Sequence, residues 1–187
     1  VEARVARAGL LLDLNRAAEA EVDLTELRRI APGEPRAAYL QALLAERNGN
    51  PEEAQTALKE VTHLLDPVPI DFIRYRTQLL MLNGLAHFGL NELEKAKQYL
   101  ETFQRQQGNT PASKLLAQIY MGESNVDRSI DVLESYLRAN PADGQAMTLL
   151  GSAYLSKGQS AKAAALMQQA LKSKDNPAHR TVLGLSL

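Results

Sequence analysis

Leu116-Ala117-Gln118-Ile119-Tyr120 and Leu150-Gly151-Ser152-Ala153-Tyr154 stand 34 residues apart and share one pattern: leucine, a small residue, two spacers, tyrosine. The second copy extends upstream to Met147 and downstream to Gly158, Ala163, Met167 and Ala170. Pro141 closes the first copy and Pro177 the second. A small residue at Ala117 or Gly151, with Ala163 opposite, suits two helices whose backbones cross closely, and Leu and Tyr fill the space beside the crossing. Gly158 supplies the positive φ that ends a first helix. Pro141 stops a second, because it has no N–H to donate. One such helix pair cannot bury its own apolar face, so the pairs must stack.

Counting backward at this period recovers the rest of the chain. The expected units are 1–34, 35–68, 77–109, 110–143 and 144–176, with an insert at 69–76 and a partial unit at 177–187. The first carries Ala8, Leu11, Asn15, Ala20, Leu24 and Leu27, the second Ala42, Ala45, Gly49, Ala54, Leu58 and Val61. The third carries Gly84, His87, Asn91, Ala96, Leu100 and Phe103, and the fourth has Ser129 and Tyr136 in the later slots. Asn50-Pro51-Glu52-Glu53 predicts a helix start, with a side-chain cap, proline in the first turn and acids at the positive dipole end. The insert predicts an over-long helix from Asp71 to His87, with Phe72, Ile73, Tyr75 and Leu79 extending it upstream. Gly108-Asn109 ends the third unit in place of a proline. No segment shows the period-two alternation of strands. The fold class is therefore all-α, about eleven helices of 11 to 17 residues, and both ends read as the interior of a longer chain.

These slots resemble the tetratricopeptide (TPR) repeat: a large residue, Leu-Gly, Tyr, a small Ala, a large apolar residue and a terminal Pro. The resemblance implies a right-handed superhelix, an α-solenoid of antiparallel helix pairs, whose first helices line one concave face. Tyr39-Leu40-Gln41-Ala42-Leu43-Leu44-Ala45, Leu149-Leu150-Gly151-Ser152-Ala153-Tyr154-Leu155 and Arg180-Thr181-x-Leu183-Gly184 further resemble the TPR-repeat lipoproteins of bacterial exosortase (PEP-CTERM) and exopolysaccharide systems. That narrower likeness implies polysaccharide or protein export in a bacterial envelope, with a periplasmic or lipid-anchored location. Without it, a cytoplasmic location is the expectation.

Composition narrows the function. The 187 residues are 45% apolar and 23% charged, which is globular rather than disordered. A formal charge of -1 with no basic run lacks the electrostatic term that phosphate backbones demand, so no nucleic-acid partner is expected. Cysteine is absent, so no disulfide framework or thiolate chemistry is available. No apolar run is long enough to span a bilayer, and no export signal is visible at the N-terminus.

Catalytic, cofactor and metal sites are not expected. His63, His87 and His179 are scattered over different units, and His87 occupies the slot of Tyr120 and Tyr154, which predicts a packed ring with one satisfied nitrogen. The acids Glu52, Glu53, Glu92 and Glu94 fall at helix starts, where the dipole accounts for them. Glycines at repeat spacing signal crossings, not a phosphate loop. The predicted site is a groove for a protein or peptide ligand, lined by Arg36, Tyr39, Leu43, Arg47, Gln78, Met81, Leu85, Phe88, Lys114, Gln118 and Met121, reached by steps of three or four residues along each first helix. Tyr39, Met81, Phe88 and Met121 are the aromatic or adaptable anchors. Only Arg36 and Lys114 fall where chaperone-binding TPR proteins hold a carboxylate, and no asparagine accompanies them. A helical-repeat RNA reader, the non-catalytic part of a larger enzyme, and self-association through terminal helices are the alternatives.

Overall fold

The computed structural model describes residues 1–73 and 75–173, which form eleven α-helices and no strand. The chain divides into two compact bodies, Val1–Phe103 and Gln104–Leu187. The N-terminal body holds α1 (Glu2–Asp13), α2 (Ala17–Ile30), α3 (Pro35–Arg47), α4 (Pro51–Leu65), α5 (Ile70–Ile73), α6 (Thr77–Gly89) and most of α7 (Leu93–Gln107). The C-terminal body holds α8 (Ala112–Gly122), α9 (Val126–Ala139), α10 (Gly144–Ser156) and α11 (Ser160–Ser173). The fold is all-α and of α-solenoid type. Pro177 and the predicted partial unit 177–187 lie outside the described residues.

One backbone device turns each first helix into its second. Asn15, Gly49, Asn91, Ser124 and Gly158 all have φ between 59° and 72°, at intervals of 34, 42, 33 and 34 residues. The N–H of the residue after each one bonds back to a carbonyl inside the helix: Arg16 to Leu11, Asn50 to Ala45, Glu92 to His87, Asn125 to Tyr120 and Gln159 to Tyr154, at 2.8–2.9 Å. This is the Schellman closure of a helix C-terminus, and it satisfies carbonyls that would otherwise lack donors. Asn50 and Asn125 then also cap the next helix, their side chains accepting from Glu53 N–H and Arg128 N–H. One residue thus ends one helix and starts the following one.

The crossings are as close as the small residues predict. Ala117 and Ala163 are buried in one cluster with Leu133, Leu150 and Tyr154. At Gly84 an added Cβ would stand 2.8 Å from Leu100 Cγ and Cδ2, so no side chain fits without a shift. In the N-terminal body Ala8, Leu12, Leu24 and Leu27 pack with Leu44, and Leu58, Val61, Leu80 and Ala86 form a second cluster. Each fully buried leucine contributes roughly 1.5–3 kcal/mol.

The segment after α4 differs from the single long helix predicted over Asp71–His87. Pro67 and Pro69 follow α4, α5 is a one-turn helix, and α6 starts only at Thr77. Arg76 sits at φ −120°, ψ 73°, outside the helical region, and its N–H bonds to Ile73 O at 2.7 Å as a turn. The i→i−4 ladder therefore cannot run through. Ile73 is buried, while Phe72 and Tyr75 stay exposed at 71% and 78%.

Candidate functional site

In the N-terminal body the predicted groove residues lie on α3 and α6. Tyr39 and Leu43 are half-buried on α3, Tyr39 against the cluster around Leu58 and Leu43 against that around Leu24. Met81, Leu85 and Phe88 form a half-buried row on α6, four and three residues apart, as one face of a helix requires. Gln78, one turn earlier, is exposed. Arg36 and Gln78 meet across a cleft of about 620 Å³ that Glu2, Glu34, Tyr75 and Arg76 also line. In the C-terminal body Lys114, Gln118 and Met121 are half-buried on α8, Met121 packing on the cluster around Leu133.

The cations of this set are already engaged. The Arg36 guanidinium donates to Glu34 at 2.7 and 2.8 Å and to Glu2 at 2.7 Å twice. Glu34, which also caps α3 by accepting from Arg36 N–H, and then Glu2 hold that guanidinium well above its usual range. Arg47 donates to the Leu12 carbonyl. Lys114 donates to Asp143 at 2.9 Å and lies over the Tyr136 ring, 5.9 Å from its centroid. Burial pushes the Asp143 carboxyl up, but the Ala146 N–H, Lys114 and the Tyr136 hydroxyl together hold it below the usual range. None of these cations stands ready as a bare receptor for a carboxylate.

Two charged clusters escaped sequence reasoning. Asp23 on α2 is fully buried and accepts from Arg7 at 2.6 Å and Arg4 at 3.1 Å, clamping α1 to α2. The available signal was an acid at a position where the later repeats carry Ala57, Tyr99, Val132 and Leu166. His87 is also fully buried, and both its nitrogens, not one as predicted, stand within hydrogen-bond distance of a carboxylate. Nδ1 lies 2.8 Å from Glu92 and Nε2 2.9 Å from Asp66, and the ring stacks on Tyr99 at 5.6 Å. Asp66 further accepts from Asn83 and Lys95, both at 3.0 Å. Glu92 is thus more than a dipole partner. Among the described residues no group of His, Cys, Asp and Glu is arranged to hold a metal ion, and no helix is long and apolar enough to cross a membrane.

Stacked helix pairs closed by left-handed turns, with a half-buried row on the first helices, define a helical-repeat protein of the kind that binds protein or peptide partners. A tetratricopeptide-repeat family model matches residues 5–64 and 114–178, more than half of the sequence, and the chain belongs to that family. Solved structures share the fold at low identity. TTC0263, a thermophilic TPR protein from Thermus thermophilus, is 19% identical with a TM-score of 0.66, covering 98% of this chain and 97% of that one. YrrB, described as a TPR protein with an unusual peptide-binding site, is 16% identical with a TM-score of 0.66 and coverages of 95% and 89%. PilF of Pseudomonas aeruginosa is 12% identical with a TM-score of 0.71 and coverages of 99% and 87%. No curated protein matches the chain in sequence.

Proposed function

We propose that this protein is a non-catalytic interaction scaffold holding an extended peptide or a partner helix along the first-helix face of its repeats. The observation that carries the reading is the half-buried row Met81, Leu85 and Phe88 on α6, with Tyr39 half-buried on α3. Methionine adapts its shape to a partner and aromatic rings supply large contact areas, and both are residue types that anchor interfaces. The internal pairing of Arg36, Arg47 and Lys114 argues against a ligand recognised chiefly by its carboxylate. Apolar pockets with a polar rim fit a helix or an extended strand of peptide better. The likeness to YrrB, whose description names a peptide-binding site, supports the same reading. A role in polysaccharide or protein export rests on the three short stretches alone.

The test is capture of partners on the immobilised chain, read by mass spectrometry, for the parent and for Tyr39→Ala with Phe88→Ala. Partners captured by the parent should be lost from the double variant, while helical circular dichroism is preserved. Equal capture by both proteins overturns the groove. A mobility shift of RNA that weakens with salt would favour the RNA-reader alternative instead.

A further inference from the structure

Three junctions between successive helix pairs can be compared position by position, each within its own body. The places are 13 residues after the left-handed turn of the leading pair, and 8 before and 8 after that of the following pair. In the α2–α3–α4 junction they hold Arg28, Gln41 and Ala57, and Arg28, Gln41 and Glu60 line a cavity of only about 10 Å³. In the α4–α6–α7 junction they hold Thr62, Asn83 and Tyr99. There Asn83 donates to Asp66 at 3.0 Å, and Tyr99 stacks on His87. In the α9–α10–α11 junction all three are leucine, Leu137, Leu150 and Leu166, and they line a pocket of about 320 Å³.

The floor and the rim of this pocket differ in chemistry. Met147 and Leu150 are buried at its floor, and Leu137 and Leu166 stand half-buried on its walls. On the rim, Glu134 accepts the Tyr154 hydroxyl at 2.6 Å, so that carboxylate is already engaged. Arg138 follows one helical turn later on α9, exposed and with no ion pair to any described residue. The pocket is open to solvent along one side. A free small molecule would leave a face in water there, whereas small-molecule sites enclose most of their ligand's surface. An occupant whose own surface closes the mouth would bury the leucines completely.

We propose that this pocket is a second docking site, for a segment of a different protein that inserts one bulky apolar side chain between α9 and α11 and sets a neighbouring carboxylate on Arg138. Three leucines hold the inserted side chain, and Met147 adapts to its shape. The carboxylate meets a guanidinium that breaks no internal pair to receive it, in a charge-assisted bond. The site uses the second helices α9 and α11 over α10, not the row on α6 that carries the proposed groove, so the two readings stand or fall separately. Two sites of different chemistry let one chain hold two partners.

N-acetyl-leucine and its uncharged amide are the probes, one with both halves of this chemistry and one with the apolar half alone. On the full chain labelled at its Leu and Met methyl groups, N-acetyl-leucine should shift the signals of Leu137, Met147, Leu150 and Leu166 with a Kd on the order of millimolar. The signals of Met81 and Leu85 should stay in place. The amide should bind about threefold more weakly, and Arg138→Gln should erase that difference. Leu137→Arg, which installs the residue type found at Arg28, should abolish the shifts while helical circular dichroism is preserved. An unshifted pocket, equal binding of acid and amide by the parent, or shifts that persist in a folded Leu137→Arg each overturn the proposal. So does a second copy taking the site: light scattering on the parent would then show a concentration-dependent doubling of mass that Leu137→Arg abolishes.

Discussion

The position four residues ahead of the left-handed turn is His87 in the last helix pair of the N-terminal body, after Leu11 and Ala45 in its first two, and Tyr120 and Tyr154 in the C-terminal body. All three rings are buried, so in these three pairs the slot asks first for volume. They part company in what their polar ends hold. Tyr154 donates its hydroxyl to Glu134 on α9 at 2.6 Å, and burial followed by that carboxylate pushes its phenol up. His87 instead joins Asp66, at the end of α4, to Glu92, at the start of α7. A filler that reaches two ways stands where the chain departs from its regular period. The irregular segment after Asp66 is held at its root by this ring.

His87→Ala is the severest way to break the comparison. It empties the slot and removes the ring's contacts with Asp66 and Glu92, a loss of about 3 kcal/mol or more that a urea titration would register. His87→Phe should recover the packing share and not the polar share; equal midpoints for the parent and His87→Phe would show that the carboxylates add nothing. Gly84→Ala comes next, at about 1–3 kcal/mol, because its Cβ meets Leu100 at 2.8 Å. Gly122→Ala at the end of α8, where nothing lies within 4 Å, should be neutral or stabilising by up to about 1 kcal/mol. If both glycines behave alike in a thermal melt, the crossing is looser than described. Tyr154→Phe removes one hydroxyl bond in the C-terminal body and should cost about 1 kcal/mol.

Acid sharpens the contrast further. Burial pushes the Asp66 carboxyl up, yet Asn83, His87 and Lys95 together hold it below its usual value. A depressed folded pKa means that its contribution is complete above the unfolded value, near 4, and is lost as pH falls through the folded one. The advantage of the parent over Asp66→Asn in Tm should therefore be full at about pH 5–6 and shrink as pH falls below about 4. An advantage that persists undiminished at pH 2 would remove the carboxylate from the account. Phe72→Ser, on the exposed insert, should change stability by no more than about 0.5 kcal/mol.

Much of this architecture was legible because it repeats. Ala117, Ala163, Gly84 and Gly158 could be placed from spacing alone, since a crossing or a positive φ restricts residue type locally. The Asn50-Pro51 start was equally plain. The break at Arg76 was not, because Phe72, Ile73 and Leu79 keep helical spacing across it and nothing local marks Arg76 as non-helical. Asp23 and the second bond of His87 depend on partners 16 to 21 residues away, beyond any single helix. Of the residues predicted to line a groove, spacing alone placed Met81, Leu85 and Phe88 on one face of α6. It could not show that Arg36 and Lys114 are occupied by carboxylates of their own chain.

The eight residues that lengthen the interval between Gly49 and Asn91 lie wholly between two helix pairs, so every side-chain column resumes in phase beyond them. One residue added inside α6 would instead rotate everything downstream by about 100° and turn the core outward. Linker length is thus free to drift while helix length is not. The α4 to α6 junction is accordingly a place where a foreign loop, an epitope or a whole domain could be spliced in with the array left intact on either side.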